Sequence, residues 1–404
     1  MKEITDKLQF FLNNTDVFDS IPELSLSPTT KKLLSSMLPI IKKGHTLFKT
    51  TPLEIHRVKT IPMGEVPGLA SKNINYNVIP EIVRKRIETN MPDKKCVKII
   101  FKIKDRDYQL FFIYENLSND EIEKRLKMTF IWLYLASYFA NAKCSKKTHI
   151  FIYFTDLKKM LPNANGSPID EEHANTAFTT SCSPESSIYL FREEEWFKVL
   201  IHETFHNLGL DFSTLTNDGA AIIRDIFPVN SEVNLFETYC EMWAEMLNVL
   251  FVAYFNNNNN GNNDSVILQE FEKNIQFERQ FSLFQCAKVL HFFGMDYKDL
   301  YEENTNSIRK RIYNYKENTN VLSYYILKSI LMFYLNDFME WCHDFSKGSL
   351  QFNKNVVDEY CKFIRQHYNR DEFLSIVKKI EKWMDKNEKK DEIWRTLRMT
   401  VTEI

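Results

Sequence analysis

The sequence predicts an α+β chain: a mixed β-sheet lying over one amphipathic helix, followed by a mostly helical region. Three observations predict it. Between residues 96 and 191, five extended apolar runs are interrupted by a single long helical pattern. Beyond residue 213, apolar residues recur at helical spacing with no strand signal of note. The 404 residues, 44% hydrophobic and 14% aromatic, suffice for two or three domains with a sizeable core. The expected division is an N-terminal extension over 1–95, a sheet subdomain over 96–212 and a helical subdomain over 213–404.

Taken in order, residues 1–95 carry the least signal. Leu8–Leu12 and Lys31–Lys43 read as short helices, and Pro22, Pro28, Pro52, Pro62, Pro67 and Pro80 break the region into pieces. A packing role is expected for it, with a docking or cleft-covering prosegment as the alternative. Val97–Lys104 and Tyr108–Tyr114, joined by Asp105-Arg-Asp107, predict a β-hairpin. Ser118-Asn-Asp-Glu121 is a capping box opening a helix that runs to about Asn141. Strands are expected at Thr148–Thr155, Asn175–Cys182 and Ser187–Phe191. A helix follows from about Glu193 to Leu210, with Glu193, Glu194 and Glu195 suited to its positive N-terminus and Gly209 to its end. Further helices are expected at Ala220–Phe227, Leu235–Phe255, Val266–Phe293, Val321–Phe345, Val356–Tyr368 and Glu372–Lys386. The polar run Asn256–Asn263 reads as a mobile loop.

Several function classes are disfavoured by bulk properties. A net charge of −2 gives no reason to expect a nucleic-acid or anionic-membrane partner. The longest apolar stretch, Met128–Ala140, is too short to span a bilayer. Met1-Lys-Glu-Ile-Thr-Asp-Lys has no apolar signal-peptide core. Seven Cys, an odd number with no C-x-x-C pair, favour a reduced, intracellular (cytoplasmic) setting. Only 9 glycines beside abundant Asn resemble proteins of AT-rich protist or large-virus genomes, so packaging in a viral particle is a second setting.

The chemistry concentrates at His202-Glu203-Thr-Phe-His206. On a helix, His202 and His206 stand one turn apart on one face, as two imidazoles sharing a Zn²⁺ ion must. Glu203 is placed to act as general base toward a water activated by that metal. A tetrahedral zinc still needs a third protein ligand. Phe236-Glu237-Thr-Tyr-Cys-Glu241-Met-Trp-Ala-Glu245 offers carboxylates at i, i+4 and i+8 on an otherwise apolar helix. Such like charges repel one another and are costly to bury without a cation. A solvated acidic edge, continued by Asn248, is the bland alternative. Asp211 and Asp218 are further candidates.

This run and the order of elements around it resemble the zincin metallopeptidases, in which a mixed sheet covers the H-E-x-x-H helix. Gly209 fits the longer metzincin pattern, but Phe212 stands where that pattern needs its third His. Glu241-Met-Trp-Ala-Glu245 is similar to the E-x-x-A-E/D run of gluzincins. That likeness implies Glu241 as the zinc ligand and Glu245 as the acid that orients a ligand imidazole, with Glu237 the alternative register. It also implies Asn175–Phe178 as an edge strand pairing with an extended peptide or protein substrate. Tyr324, Tyr325 and, more weakly, His291 are candidates to support an oxyanion. The remaining His and a free, buried Cys182 are expected to be structural, with a Cys182 thiolate capping the zinc as the minor alternative. The implied activity is a zinc-dependent endopeptidase. A zincin-fold interaction protein with a vestigial site is the competing reading, and a processing enzyme with one dedicated partner is a third.

Overall fold

The computed structural model describes residues 2–62, 65–69, 78–89, 91, 93–164, 166–216, 218–257, 263–389 and 391–403. The chain is α+β and forms two compact units. One, the sheet unit, comprises residues 35–158 and 175–211; the other, the helical unit, comprises 1–34, 159–174 and 212–404. Residues 1–95, expected as one extension, are therefore divided between the two.

In chain order the elements are α1 (Lys2–Asn13), α2 (Pro28–Phe48), β1 (Glu54–Val58), α3 (Glu81–Glu88), β2 (Lys95–Ile103), β3 (Arg106–Tyr114) and α4 (Asn119–Ala136). Then come β4 (Lys147–Tyr153), α5 (Glu171–Ala174), β5 (Ala177–Thr179), β6 (Glu185–Leu190), α6 (Trp196–Asn207), α7 (Ala220–Ile226), α8 (Leu235–Asn256) and α9 (Asp264–Phe292). The series ends with α10 (Thr305–Tyr313), α11 (Lys328–Phe333), α12 (Leu335–Ser346), α13 (Val357–His367), α14 (Asp371–Asn387) and α15 (Glu392–Arg395).

The sheet unit holds one six-stranded mixed sheet in the order β1-β2-β3-β4-β6-β5. The β2–β3 hairpin forms as expected, turning at Lys104, whose φ is 54°. Strand β4 runs parallel to both β3 and β6 and is buried on both faces, as a central parallel strand should be. One face is covered by the segment that the sequence left vague. Ile61, Val66, Leu69, Ile79, Val83 and Ile87 pack there with Phe151, Tyr153 and Tyr189. Gly68 permits the closest approach. Its φ is +82°, and a Cβ there would lie 2.5 Å from the Tyr153 hydroxyl, which donates to Pro67 O at 2.6 Å.

An aromatic ladder crosses this face. Phe111, Phe151, Tyr189 and Phe178 occupy paired positions on β3, β4, β6 and β5, with successive ring centroids 4.7, 4.9 and 4.7 Å apart. Stacked cross-strand rings pin register, so the ladder fixes the short edge strand β5 to the interior. Helix α4 starts at the expected capping box, with Ser118 and Glu121 bonded reciprocally.

The helical unit is centred on α8, buried continuously from Thr238 to Tyr254. A helix apolar on nearly all sides belongs inside a bundle, and α9 and α11 pack against it. The single helix expected over Val321–Phe345 is three pieces: a π-helical turn Leu322–Leu327, then α11, then α12 after a break at Tyr334. Of the polar run expected to be mobile, residues 258–262 lie outside the described residues; Asn263 caps α9 by accepting from Ser265 N at 2.9 Å.

Residues 396–403 had no sequence assignment. They run as a buried segment through the helical unit. Glu278 accepts from Val401 N and Thr402 N at 2.8 and 2.9 Å and from Thr400 Oγ1 at 2.9 Å. Asn248 donates to Thr402 O at 2.8 Å, and Lys328 to Met399 O at 2.9 Å. Among the described residues, no helix is long and apolar enough to cross a membrane.

Candidate metal centre

Helix α6 carries His202, Glu203 and His206, and every one of its residues is buried. Its seat in the sheet unit comes from α4. Trp132 Nε1 donates to Thr204 Oγ1 at 3.1 Å, and the Trp132 ring lies parallel to Phe205. Of the three glutamates expected to favour its start, Glu195 is the N-cap at φ 58°, and Glu193 pairs with Arg125 at 2.6 Å.

The helix ends in a Schellman motif. Leu210 N reaches Phe205 O at 2.8 Å, and Gly209 N reaches His206 O at 3.2 Å. Gly209 is needed twice. Its φ is +65°, and a Cβ there would lie 2.8 Å from Cys144 Sγ. The turn folds the chain back under the helix and delivers Asp211 to His206, with Oδ2 2.6 Å from Nδ1.

With Asp211 accepting the Nδ1 proton, the Nε2 of His206 would be the nitrogen turned toward a metal. His202 Nε2 and His206 Nε2 converge to 3.1 Å. Two Zn–N bonds of 2.0–2.1 Å meeting near the tetrahedral angle would place these nitrogens roughly 3.3 Å apart. The pair therefore fits a zinc ion on spacing and burial; His202 and His206 are each 6% exposed. Glu203, buried beside His202, is the only carboxylate within the motif itself.

The edge strand is tied to the same helix end. Cys182 N donates to His206 O at 3.2 Å, and Asn207 Nδ2 donates to Thr179 Oγ1 and Thr180 O, each at 3.2 Å. β5 is shorter than the Asn175–Cys182 run expected, because from Thr180 onward the chain bonds to α6 as well as to β6. Cys182 is not the free, buried thiol the sequence suggested. It forms a disulfide with Cys144, the Cα atoms 4.6 Å apart, and the bond packs against Gly209. Spacing could not reveal the pair, because 38 residues separate the partners. The other five cysteines lie outside the disulfide and are buried.

Glu237, Glu241 and Glu245 lie on α8, in the helical unit. The solvated-edge reading of this stripe is corrected. Glu241 and Asn248 are each 2% exposed and Glu245 is fully buried, while Glu237 is half-buried. Glu245 pairs with Lys328, and for His206 the orienting carboxylate belongs to Asp211 rather than to Glu245. Glu237 accepts from the Tyr324 hydroxyl at 3.1 Å. Tyr325 is committed elsewhere, donating to Leu397 O at 2.6 Å. Phe212 packs in an aromatic cluster with Phe352, their centroids 4.2 Å apart. Sequence reasoning missed the roles of Asp211 and Lys328. For Asp211 the available signal was Gly209, since a Schellman turn brings the next residues back onto the last turn of the helix.

Asp211→Asn should weaken zinc binding by roughly 10- to 100-fold, the usual cost of losing a carboxylate behind a ligand His. Competition titration against a chromogenic chelator measures it, and unchanged affinity would show that Asp211 does not tune the site.

No family profile and no solved structure matches this chain. An uncharacterised protein of Acanthamoeba polyphaga mimivirus is 24% identical to it over 191 residues, covering 47% of this chain and 46% of that protein. The chain thus spans less than half the length of the relative it matches.

Proposed function

We propose that this chain is a zinc-dependent metallopeptidase with a zincin-like sheet subdomain, hydrolysing peptide bonds in a protein or peptide substrate. The observation that carries the reading is the convergence of His202 and His206 Nε2 to 3.1 Å, with Asp211 on the far nitrogen of His206. Zinc held there by His202 and His206 would supply a Lewis acid for the scissile carbonyl and would acidify a water. Glu203 is the carboxylate that would take a proton at this site and return it to the leaving amine. The outer edge of β5, with β6 on its other side, offers backbone groups to an extended peptide.

For the third ligand, the gluzincin likeness alone proposes the α8 stripe. Glu245 already has the Lys328 ammonium as its cation. The stripe's remaining carboxylates are Glu237 and Glu241, and the likeness to the gluzincin run favours Glu241. Tyr324, whose hydroxyl sits on Glu237, is the better candidate for supporting the oxyanion. The mimivirus likeness supports an origin in a large DNA virus, with action inside the cell or the particle.

Metal analysis of the purified full-length protein should find one zinc per chain. A quenched peptide library should show cleavage that a chelator abolishes and added zinc restores. Glu241→Gln should lose the metal while Glu237→Gln keeps it; the opposite result moves the ligand one helical turn. A chain that takes up no zinc overturns the proposal.

A further inference from the structure

The helical unit contains a second feature that peptide hydrolysis does not use. A cavity of about 580 Å³ opens between the loop Leu161–Asn163, the C-terminal turns of α9, and Glu388, Lys389, Trp394 and Arg395. Its volume falls within the range of small-ligand sites. The rings of Phe292 and Trp394 form an apolar wall, and Trp394 is held flat against Trp383 with centroids 5.7 Å apart.

The charge on the walls is unbalanced. Lys288, Lys389 and Arg395 line the cavity, against the single carboxylate of Glu388. Lys288 is 2% exposed. Its Nζ donates to Ile393 O at 3.0 Å and to Thr396 O, both backbone carbonyls. Arg395 donates to Asn163 Oδ1 at 2.6 Å and to Leu161 O at 3.4 Å. Among the described residues no carboxylate forms an ion pair with either cation; Asp391 acts on Lys288 only at longer range. Burial drives the Lys288 amine well below the usual lysine range, which registers how poorly the buried charge is compensated. His291 sits at the rim, 3.6 Å from both Asp385 and Glu388.

A buried ammonium held only by carbonyl dipoles is stabilised further by an anion placed beside it. The cavity leaves room for one, and its ring wall suits a flat, apolar body next to the charge.

We propose that this cavity is a binding site for a small organic anion, a phosphate or carboxylate carried on a flat ring, with Lys288 and Arg395 as its counter-charges. The site lies wholly in the helical unit, and the proposal does not depend on the zinc reading.

The test is calorimetric titration of the full-length protein with adenosine monophosphate, benzoate and inorganic phosphate in turn, with tryptophan fluorescence as a second readout through Trp394. Binding by adenosine monophosphate identifies a phosphate head, and binding by benzoate a carboxylate head. Inorganic phosphate should bind more weakly than adenosine monophosphate. Lys288→Met should weaken binding roughly tenfold or more, the usual value of a charge-assisted bond. Arg395→Gln, at the less buried edge, should weaken it severalfold and decides the matter if Lys288→Met does not fold. No binding of any probe at millimolar concentration overturns the proposal. So does binding that both variants leave unchanged.

Discussion

Glu203→Gln protein is expected to bind zinc as the wild type does and to lose peptide hydrolysis by roughly 10²- to 10⁴-fold, the contribution of a positioned general base. Gln keeps the size of the side chain within a fully buried helix, so packing around α6 is preserved. What it removes is the capacity to take a proton from water and return it to the amine. The loss should fall on kcat, because substrate binding is assigned to the β5 edge rather than to Glu203. Metal analysis and steady-state kinetics on the same preparation make the comparison. Full activity in this variant would remove Glu203 from the chemistry while leaving the histidine pair intact.

Lys328→Met is expected to be the most damaging change to the helical unit, costing about 3–5 kcal/mol of stability. Lys328 is 2% exposed and Glu245 fully buried, and they pair with each other. Burial pushes the Glu245 carboxyl well up, Glu278 and Glu241 add to that push, and the Lys328 ammonium opposes it. Without the ammonium, the folded chain must hold a proton on Glu245 or bury its charge unpaired. A carboxyl whose folded pKa is raised contributes stability that is fully present below its unfolded value, about 4.5, and is lost as pH rises. The deficit of the variant should therefore widen only as pH rises through the wild-type Glu245 pKa, which itself lies above 4.5, as urea unfolding at a series of pH values will show. The double variant Glu245→Gln with Lys328→Met removes both charges and should recover much of the loss. A deficit independent of pH would show that Lys328 acts through packing and its bond to Met399 O, not through charge.

These two expectations rest on different kinds of information. The Glu203 argument was available in the sequence, because helical periodicity alone puts His202 and His206 on one face with Glu203 beside the first. The same local rules exposed the β2–β3 hairpin, the Ser118 capping box and the run of C-terminal helices. The Lys328 argument was not available. Its partner lies 83 residues away, and nothing local to Leu327-Lys328-Ser329 distinguishes a buried ion pair from a surface lysine. The Cys144–Cys182 bond and residues 396–403 were hidden for the same reason, since each is defined by long-range contacts. Strand β1 was missed because all five of its residues are exposed and lack apolar alternation. The three-part break of Val321–Phe345 was missed because its composition is continuously helical and apolar.

By itself, the sequence determined the α+β class, the H-E-x-x-H helix with its two histidines on one face, and an acidic stripe on an otherwise apolar helix. Periodicity and short-range chemistry are written in neighbouring residues, so one chain suffices to read them. Tertiary structure alone decided how that stripe is partly neutralised, which carboxylate holds His206, and what covers the sheet face left bare by the strands. The first and the last of these bring together groups far apart in the chain, made favourable only when folding removes water from both. Asp211 stands between the two cases. It follows His206 by five residues, yet only the Schellman turn at Gly209 makes it the partner of Nδ1.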